Sequence, residues 1–306
     1  MSTVILAGGT GGAKLARGML DVVPAGSLTV IANTADDLEI YGAHVSPDPD
    51  LVSFWLADRI DERGWGIDGD SFGVMDGLRA LGTDVWFALG DQDLAVGLER
   101  RRRLDAGESL TDALAALTRA MGVPATVLPM CDARVRTRVK ADGRWWPFQE
   151  FMIRHRAQGP VQDMALDGID GAHASPEVLA VIAGASAVII GPSNPIISIG
   201  PILAVSGIRE ALAATCAPVV AVSPIVGGAV VKGPTGPFMD WAGLPRSADG
   251  IARVYAGLLD GLVADEQAPD AGLPVMVTDT MMGDPGARAR VARTTLDFAH
   301  GLAGAR

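Results

Sequence analysis

Cysteine, histidine and aromatic residues are scarce in this 306-residue chain, and each scarcity removes a class of explanation. There are two cysteines, Cys131 and Cys216, and neither sits in a CxxC or Cys/His spacing. A disulfide scaffold and a zinc ribbon are therefore not expected, and the reducing cytoplasm is the expected compartment. The four histidines, His44, His155, His173 and His300, are scattered. Lys and Arg number 25 against 36 Asp and Glu, a net charge of −11. A nucleic-acid binder would need the opposite balance to displace counterions. The longest apolar stretch, near Val178 to Ile190, is broken by Gly184 and Ser186 and is too short to span a bilayer. No basic-then-apolar leader precedes Thr3–Ala7, so neither export nor a membrane partner is expected.

Hydrophobic residues make up 49% of the chain but aromatics only 5%, so the apolar content is chiefly Ala, Val, Ile and Leu. Such residues fill parallel strands buried on both faces. Apolar runs predict strands over Thr3–Ala7, Leu28–Asn33, Val85–Leu89, Thr126–Met130, Ala187–Gly191, Val219–Ser223 and Val275–Thr278. Amphipathic stretches predict helices over Ala13–Val22, Leu51–Arg63, Leu94–Ala106, Leu110–Met121, Pro176–Ala183, Gly207–Ala214, Ala248–Leu259 and Ala287–Ala299. This alternation predicts an α/β fold, a doubly wound, mostly parallel, Rossmann-like sheet, as one domain over 1–306. Residues 134–175 interrupt it. Asp142-Gly143 suits a tight turn between Arg134–Ala141 and Arg144–Phe148, which predicts an edge hairpin or small subdomain. Acidic Ala264–Pro274 reads as a surface loop. The basic run Arg100–Arg103 reads as a solvated helix face, with an anion-binding patch as the alternative.

In such sheets ligands bind beyond the carboxyl ends of the strands, so the segments that follow them carry the chemistry. Gly8-Gly9-Thr10-Gly11-Gly12-Ala13-Lys14 follows the first strand. Glycines admit close backbone approach, and a helix start offers free amides to phosphate. It is neither a P-loop, since Leu15 follows Lys14, nor a complete GxGxxG. A ligand-free tight turn is the plain alternative. Asp36, Asp37, Asp48 and Asp50 cluster after the second strand. Carboxylates are what Mg²⁺ bridges to substrate phosphates. Helix capping by Asp48 and Asp50, or a ribose contact by Asp36, would explain them without metal. Gly90-Asp91-Gln92-Asp93 is another acidic turn that opens a helix, where capping is as good a reading as ligand binding. Gly191–Pro201 combines three prolines with Ser193, Asn194 and Ser198, a rigid polar loop fit for a base or acyl group. Ser223–Gly228, continuing to Lys232-Gly233-Pro234, is a second such loop. Trp65, Trp145, Trp146 and Phe148 could stack on a planar ligand, although packing is the commoner fate of aromatics. Gln149 could border the same pocket. No GxSxG or His/Asp partner supports a serine hydrolase.

Taken in order, LAGGTGGAKL at Leu6–Leu15, NTADD at Asn33–Asp37, SPDPD at Ser46–Asp50, GDQDLA at Gly90–Ala95, GPSNPIISIGPIL at Gly191–Leu203 and VSPIVGG at Val222–Gly228 resemble the 2-phospho-L-lactate transferase family (CofD-like) of coenzyme F(420) biosynthesis. The resemblance implies a Mg²⁺-dependent transferase, a homodimer in the cytoplasm. It would move a phosphorylated three-carbon acid (2-phospho-L-lactate, phosphoenolpyruvate or 3-phosphoglycerate) from its guanosine diphosphate-linked donor. The acceptor would be the terminal hydroxyl of 7,8-didemethyl-8-hydroxy-5-deazariboflavin (Fo), and GMP would leave. It implies Fo contacts at Asp50, Asp91, Gln92 and Asp93. It implies metal ligands among Asp36, Asp37, Asp48 and Asp50, and nucleotide contacts at Gly8, Gly9, Thr10, Gly11, Gly12, Lys14, Ser193, Asn194 and Ser198. Asp50 or Asp37 could accept the alcohol proton. Gln92 departs from the basic residue that many members carry there, and Pro49 from their Leu or Ile. The competing reading is a non-catalytic, nucleotide-sugar-binding regulatory protein of a related family, which shares the glycine loop and the Ala-Asp-Asp stretch. An NAD-dependent oxidoreductase is disfavoured by the missing third glycine.

Overall fold

The computed structural model describes residues 2–230 and 233–303; Lys232 lies outside the described residues. Seven strands form one sheet: β1 (Thr3–Ala7), β2 (Leu28–Ala32), β3 (Thr126–Pro129), β4 (Ala187–Ile190), β5 (Val219–Val222), β6 (Gly261–Ala264) and β7 (Val275–Val277). Their order is β3-β2-β1-β4-β5-β6-β7, and every pairing is parallel. Strands β1, β2, β4, β5 and β6 are buried along their whole length, hence their unbroken Val, Ile, Leu and Ala runs. Alternate side chains serve opposite faces. Ile5 and Ala7 join a core with helices α1 (Gly9–Met19), α2 (Pro47–Leu56) and α4 (Pro285–Ala303). Val4 and Leu6 join the other core with Val178, Ile202, Ile208 and Ile251 from helices of the second layer. Among the described residues no helix is long and apolar enough to cross a membrane.

Two strand expectations need correction. Val85–Leu89 is not a strand: Leu89 is buried in a satellite cluster with Ala43, Val45, Met75 and Leu94, and the Phe87 amide is donated to the Tyr41 hydroxyl at 3.3 Å. Its apolar run serves that cluster rather than a ladder. Conversely β6 was not predicted: it begins just after the helix predicted over Ala248–Leu259 and ends at Ala264, where a surface loop was expected. That helix stops at Val254, and Asp260 turns the chain by accepting the Val219 amide at 2.8 Å. The helix predicted over Leu51–Arg63 runs over Pro47–Leu56 instead, entered through Pro47 at its first turn.

The expected hairpin is present, as Arg136–Ala141 paired with Arg144–Pro147 through Asp142-Gly143, both with positive φ. A third strand, Asp163–Asp167, pairs antiparallel with Arg136–Ala141. The helix Phe148–Ile153 follows the hairpin. Phe148 and Phe151 pack with Ile197 and Phe238, which fastens this small sheet to the loop after β4.

Candidate active site

β1 and β4 are neighbours at the centre of the sheet, and their outgoing chains diverge to opposite faces, opening a crevice. The glycines after β1 allow the two outgoing loops to touch. A Cβ on Gly11 would lie 2.1 Å from the Pro192 carbonyl oxygen, and one on Gly12 would lie 2.7 Å from both Ala7 Cβ and Ser193 Oγ. Helix α1 starts at Gly9, inside the glycine run and earlier than periodicity predicts. The Gly8 amide donates to Ser193 Oγ at 3.1 Å, and the Gly9 amide donates to Asp48 Oδ1 at 2.7 Å. The next first-turn amides, of Thr10 and Gly11, have no acceptor within the helix.

Asp36 and Asp48 are both buried and both line the cleft. Asp48 Oδ2 accepts from Asn33 Nδ2 at 3.0 Å. Burial raises its pKa to about 6 against the opposing pull of the Asn33 and Gly9 hydrogen bonds. Asp36 Oδ1 is buried without a hydrogen-bond partner. Burial, and then the charge of Asp48, hold the Asp36 carboxyl well above the usual range.

The other two acids of the cluster face elsewhere. Asp37 accepts from Ser46 Oγ at 2.7 Å, pairs with His44 Nε2 at 3.0 Å, and lines a separate pocket with Glu39 and Arg136. Asp50 is bound through both oxygens to Arg100, which also donates to the His44 carbonyl at 2.9 Å. Arg100 is wholly buried. The expectation of a solvated basic face therefore fails at its first residue, while Arg101, Arg102 and Arg103 pair with Asp105, Glu99 and Glu108 at the surface. Among the described residues no three His, Cys, Asp or Glu side chains converge as a ready-made cation cage.

The Gly90–Asp93 turn opens helix α3 (Asp91–Asp105). Asp91 accepts from Ser71 Oγ at 2.6 Å, Gly73 N at 3.0 Å and Val74 N at 2.9 Å, which caps the helix Gly73–Ala80 and holds its own pKa low. Gln92 accepts from Arg59 Nη2 at 2.9 Å. Burial, and then the nearby Asp50, push Asp93 up to about 7. None of these three lines the cleft, because the Val85–Leu89 run that precedes them does not end a strand of the sheet.

The cleft has a volume of about 350 Å³. Of the residues singled out from the sequence, Gly8, Gly9, Thr10, Gly11, Lys14, Asp36, Asp48, Ser193, Asn194 and Ser198 line it, with Gly12 just beneath. Trp65, Phe148 and Gln149 border it too, and Gln149 Nε2 donates to the Asp36 carbonyl at 3.1 Å, lashing the small sheet to the acidic loop. Thr235 and Thr280–Gly283 also line it, and sequence reasoning missed them. The strand-end rule, applied to β7, would have found the second group.

Residues 3–277 match the family described as 2-phospho-L-lactate transferase CofD. The phosphoenolpyruvate transferase of Streptomyces griseus is 40% identical, with 98% of each chain covered. The 2-phospho-L-lactate transferase of Methanosarcina mazei is 40% identical over 86% of this chain and 87% of its own. The solved structure of protein BH3568 from Bacillus halodurans superposes with a TM-score of 0.65 at 16% identity, covering 96% of this chain and 99% of that one, a likeness of fold alone. On these matches, the chain belongs to the 2-phospho-L-lactate transferase CofD family.

Proposed function

We propose that this protein transfers a phosphorylated three-carbon acid from a guanosine diphosphate-linked donor to the terminal hydroxyl of Fo, releasing GMP, in coenzyme F(420) biosynthesis. One observation carries the reading: a glycine-built helix start and two buried acids, Asp36 and Asp48, face the same crevice. The amides of Thr10 and Gly11 would receive a phosphate, with Ser193 and Ser198 packed directly beside the glycine loop. Two carboxylates beside a phosphate site suit Mg²⁺, which takes one or two protein carboxylates and completes its shell from phosphates and water. Asp36 Oδ1 has no hydrogen-bond partner and is the oxygen such an ion would use first. Mg²⁺ held by Asp36 and Asp48 would offset the charge of the phosphates. Asp48 also fixes the helix start through Gly9, so phosphate site and acid are set by one side chain.

Transfer of this kind depends chiefly on alignment and charge neutralisation, with little demand for a strong base. Asp37 and Asp50, the candidates for that proton, have their oxygens engaged by Ser46, His44 and Arg100. In this arrangement they hold the turn that carries Asp48. The test is direct. The purified protein is incubated with Fo, Mg²⁺ and each of the three guanylylated acids, and products are identified by mass. A phosphodiester of Fo with GMP is expected for at least one acid. Absence of GMP release with all three overturns the proposal.

A further inference from the structure

The small sheet grips the acidic loop at one residue, Asp36. The two peptide carbonyls that bracket the Asp36 Cα are both held by residues 134–175. Ala35 O accepts from the Thr137 amide at 2.7 Å, and Asp36 O accepts from Gln149 Nε2 at 3.1 Å. The Ala35 amide is donated in turn to Asn33 Oδ1 at 3.0 Å. With both flanking peptide planes held, φ and ψ of this acid are fixed. Its side chain meets the same strand. Along Arg136–Ala141 burial alternates, and Thr137, Val139 and Ala141 face inward. Val139 and Ala141 join the apolar cluster with Phe148 and Phe151. Thr137 lies instead beside the Asp36 carboxyl: burial raises that carboxyl's pKa, and the Thr137 hydroxyl pulls the other way. Thr137 Oγ1 is buried without a hydrogen-bond partner. Valine has the same shape and would bury no polar atom, and an unpaired buried hydroxyl is costly. Packing alone does not explain a hydroxyl here.

The two acids of the cleft are therefore held from different parts of the molecule. Asp48 is fixed from the main sheet, by Asn33 and the Gly9 amide. Asp36 depends on the inserted sheet. Carboxylates that ligate a metal are aimed by hydrogen bonds from behind, and loss of one such partner typically costs about ten- to a hundredfold in metal affinity. We propose that Thr137 and Gln149 are positioning residues for Asp36, and that the inserted sheet thereby sets how tightly the cleft holds a divalent cation. Gln149 holds the main chain after Asp36. Thr137 holds the main chain before it through its amide, and the carboxylate through its hydroxyl. The acid is aimed before an ion arrives, so little ordering is left to oppose binding. This rests on the reading of Asp36 as an Mg²⁺ ligand and names the residues that orient it.

Mn²⁺ in place of Mg²⁺ gives a readout independent of turnover. Free Mn²⁺ is followed by electron paramagnetic resonance as it is titrated into the parent, Thr137→Val, Thr137→Ser and Gln149→Leu, with and without GDP, and each ligand-free protein is melted. Thr137→Val and Gln149→Leu are expected to bind Mn²⁺ about tenfold more weakly. Thr137→Ser keeps the hydroxyl and binds as the parent does. Thr137→Val is expected to melt with the parent, since valine fills the same space. In steady state the Mg²⁺ needed for half-maximal transfer rises by the same factor, while kcat at saturating Mg²⁺ stays close to that of the parent. Parent-like Mn²⁺ affinity in either Thr137→Val or Gln149→Leu, or a loss in Thr137→Val that Thr137→Ser does not recover, overturns the assignment alone. A parent that takes up no Mn²⁺ with or without GDP overturns the metal reading and this assignment together.

Discussion

Replacing Asp48 by Asn removes a charge from the cleft while leaving an oxygen for the Gly9 amide. Transfer is expected to slow about 100-fold or more, as for loss of one charge-stabilising group, and melting to fall modestly because the new amide sets a donor against Asn33 Nδ2. Steady-state rates at saturating Mg²⁺ check this, and wild-type turnover would remove Asp48 from the reaction. Asp93 gives a pH signature. The folded protein keeps its proton up to about pH 7, whereas the unfolded chain releases it near its ordinary value of 3.8. Between those values the folded state binds more protons, so this group's contribution to stability falls as pH rises. Asp93→Asn should therefore gain about 1–3 kcal/mol over the parent at pH 8 and almost nothing at pH 4. Denaturant melts at the two pH values decide it, and an equal difference at both rejects it. Arg100→Met strands Asp50 as a buried lone acid and should cost about 3–5 kcal/mol, much of it recovered in Arg100→Met with Asp50→Leu. A double variant no more stable than the single one would count against the pair. The sequence showed the acids and not their partners. Nothing in a run of four arginines tells which one folds inward, because that depends on a turn fifty residues away.

At the level of elements, the approach of α1 to the loop after β4 is the tightest constraint in the site. Gly11→Ala would drive a methyl group into the Pro192 carbonyl and is expected to lose about 2–3 kcal/mol and most nucleotide affinity. Gly26→Ala, with open space around it, serves as the control. Equal melting of the two variants would show that the contact yields freely. Six of the seven sheet strands were legible as apolar runs. The missing one, β6, is only four residues, set close behind a helical pattern that reads on through Gly257, where the chain in fact turns with positive φ. Val85–Leu89 had the composition of a strand and lacked a place in the ladder, and with it the Gly90–Asp93 turn lost its expected position at the sheet edge. The glycine and proline-rich loops were legible because φ > 0 and fixed φ are written in the residue type itself.

For the molecule as a whole, alternating strands and helices were enough to give the doubly wound sheet, and its central reversal was enough to place the cleft. What the chain could not reveal was which distant loops share a wall, since that follows from strand order and not from adjacency. That order has a temporal consequence. The crevice draws on Gly8 at one extreme and Gly283 at the other, with every crossover of a parallel sheet between them. Parallel pairings of such sequence separation close late. Donor affinity should thus trail secondary structure during refolding, and acquisition of the nucleotide could serve as a stopwatch for the docking of the final strand.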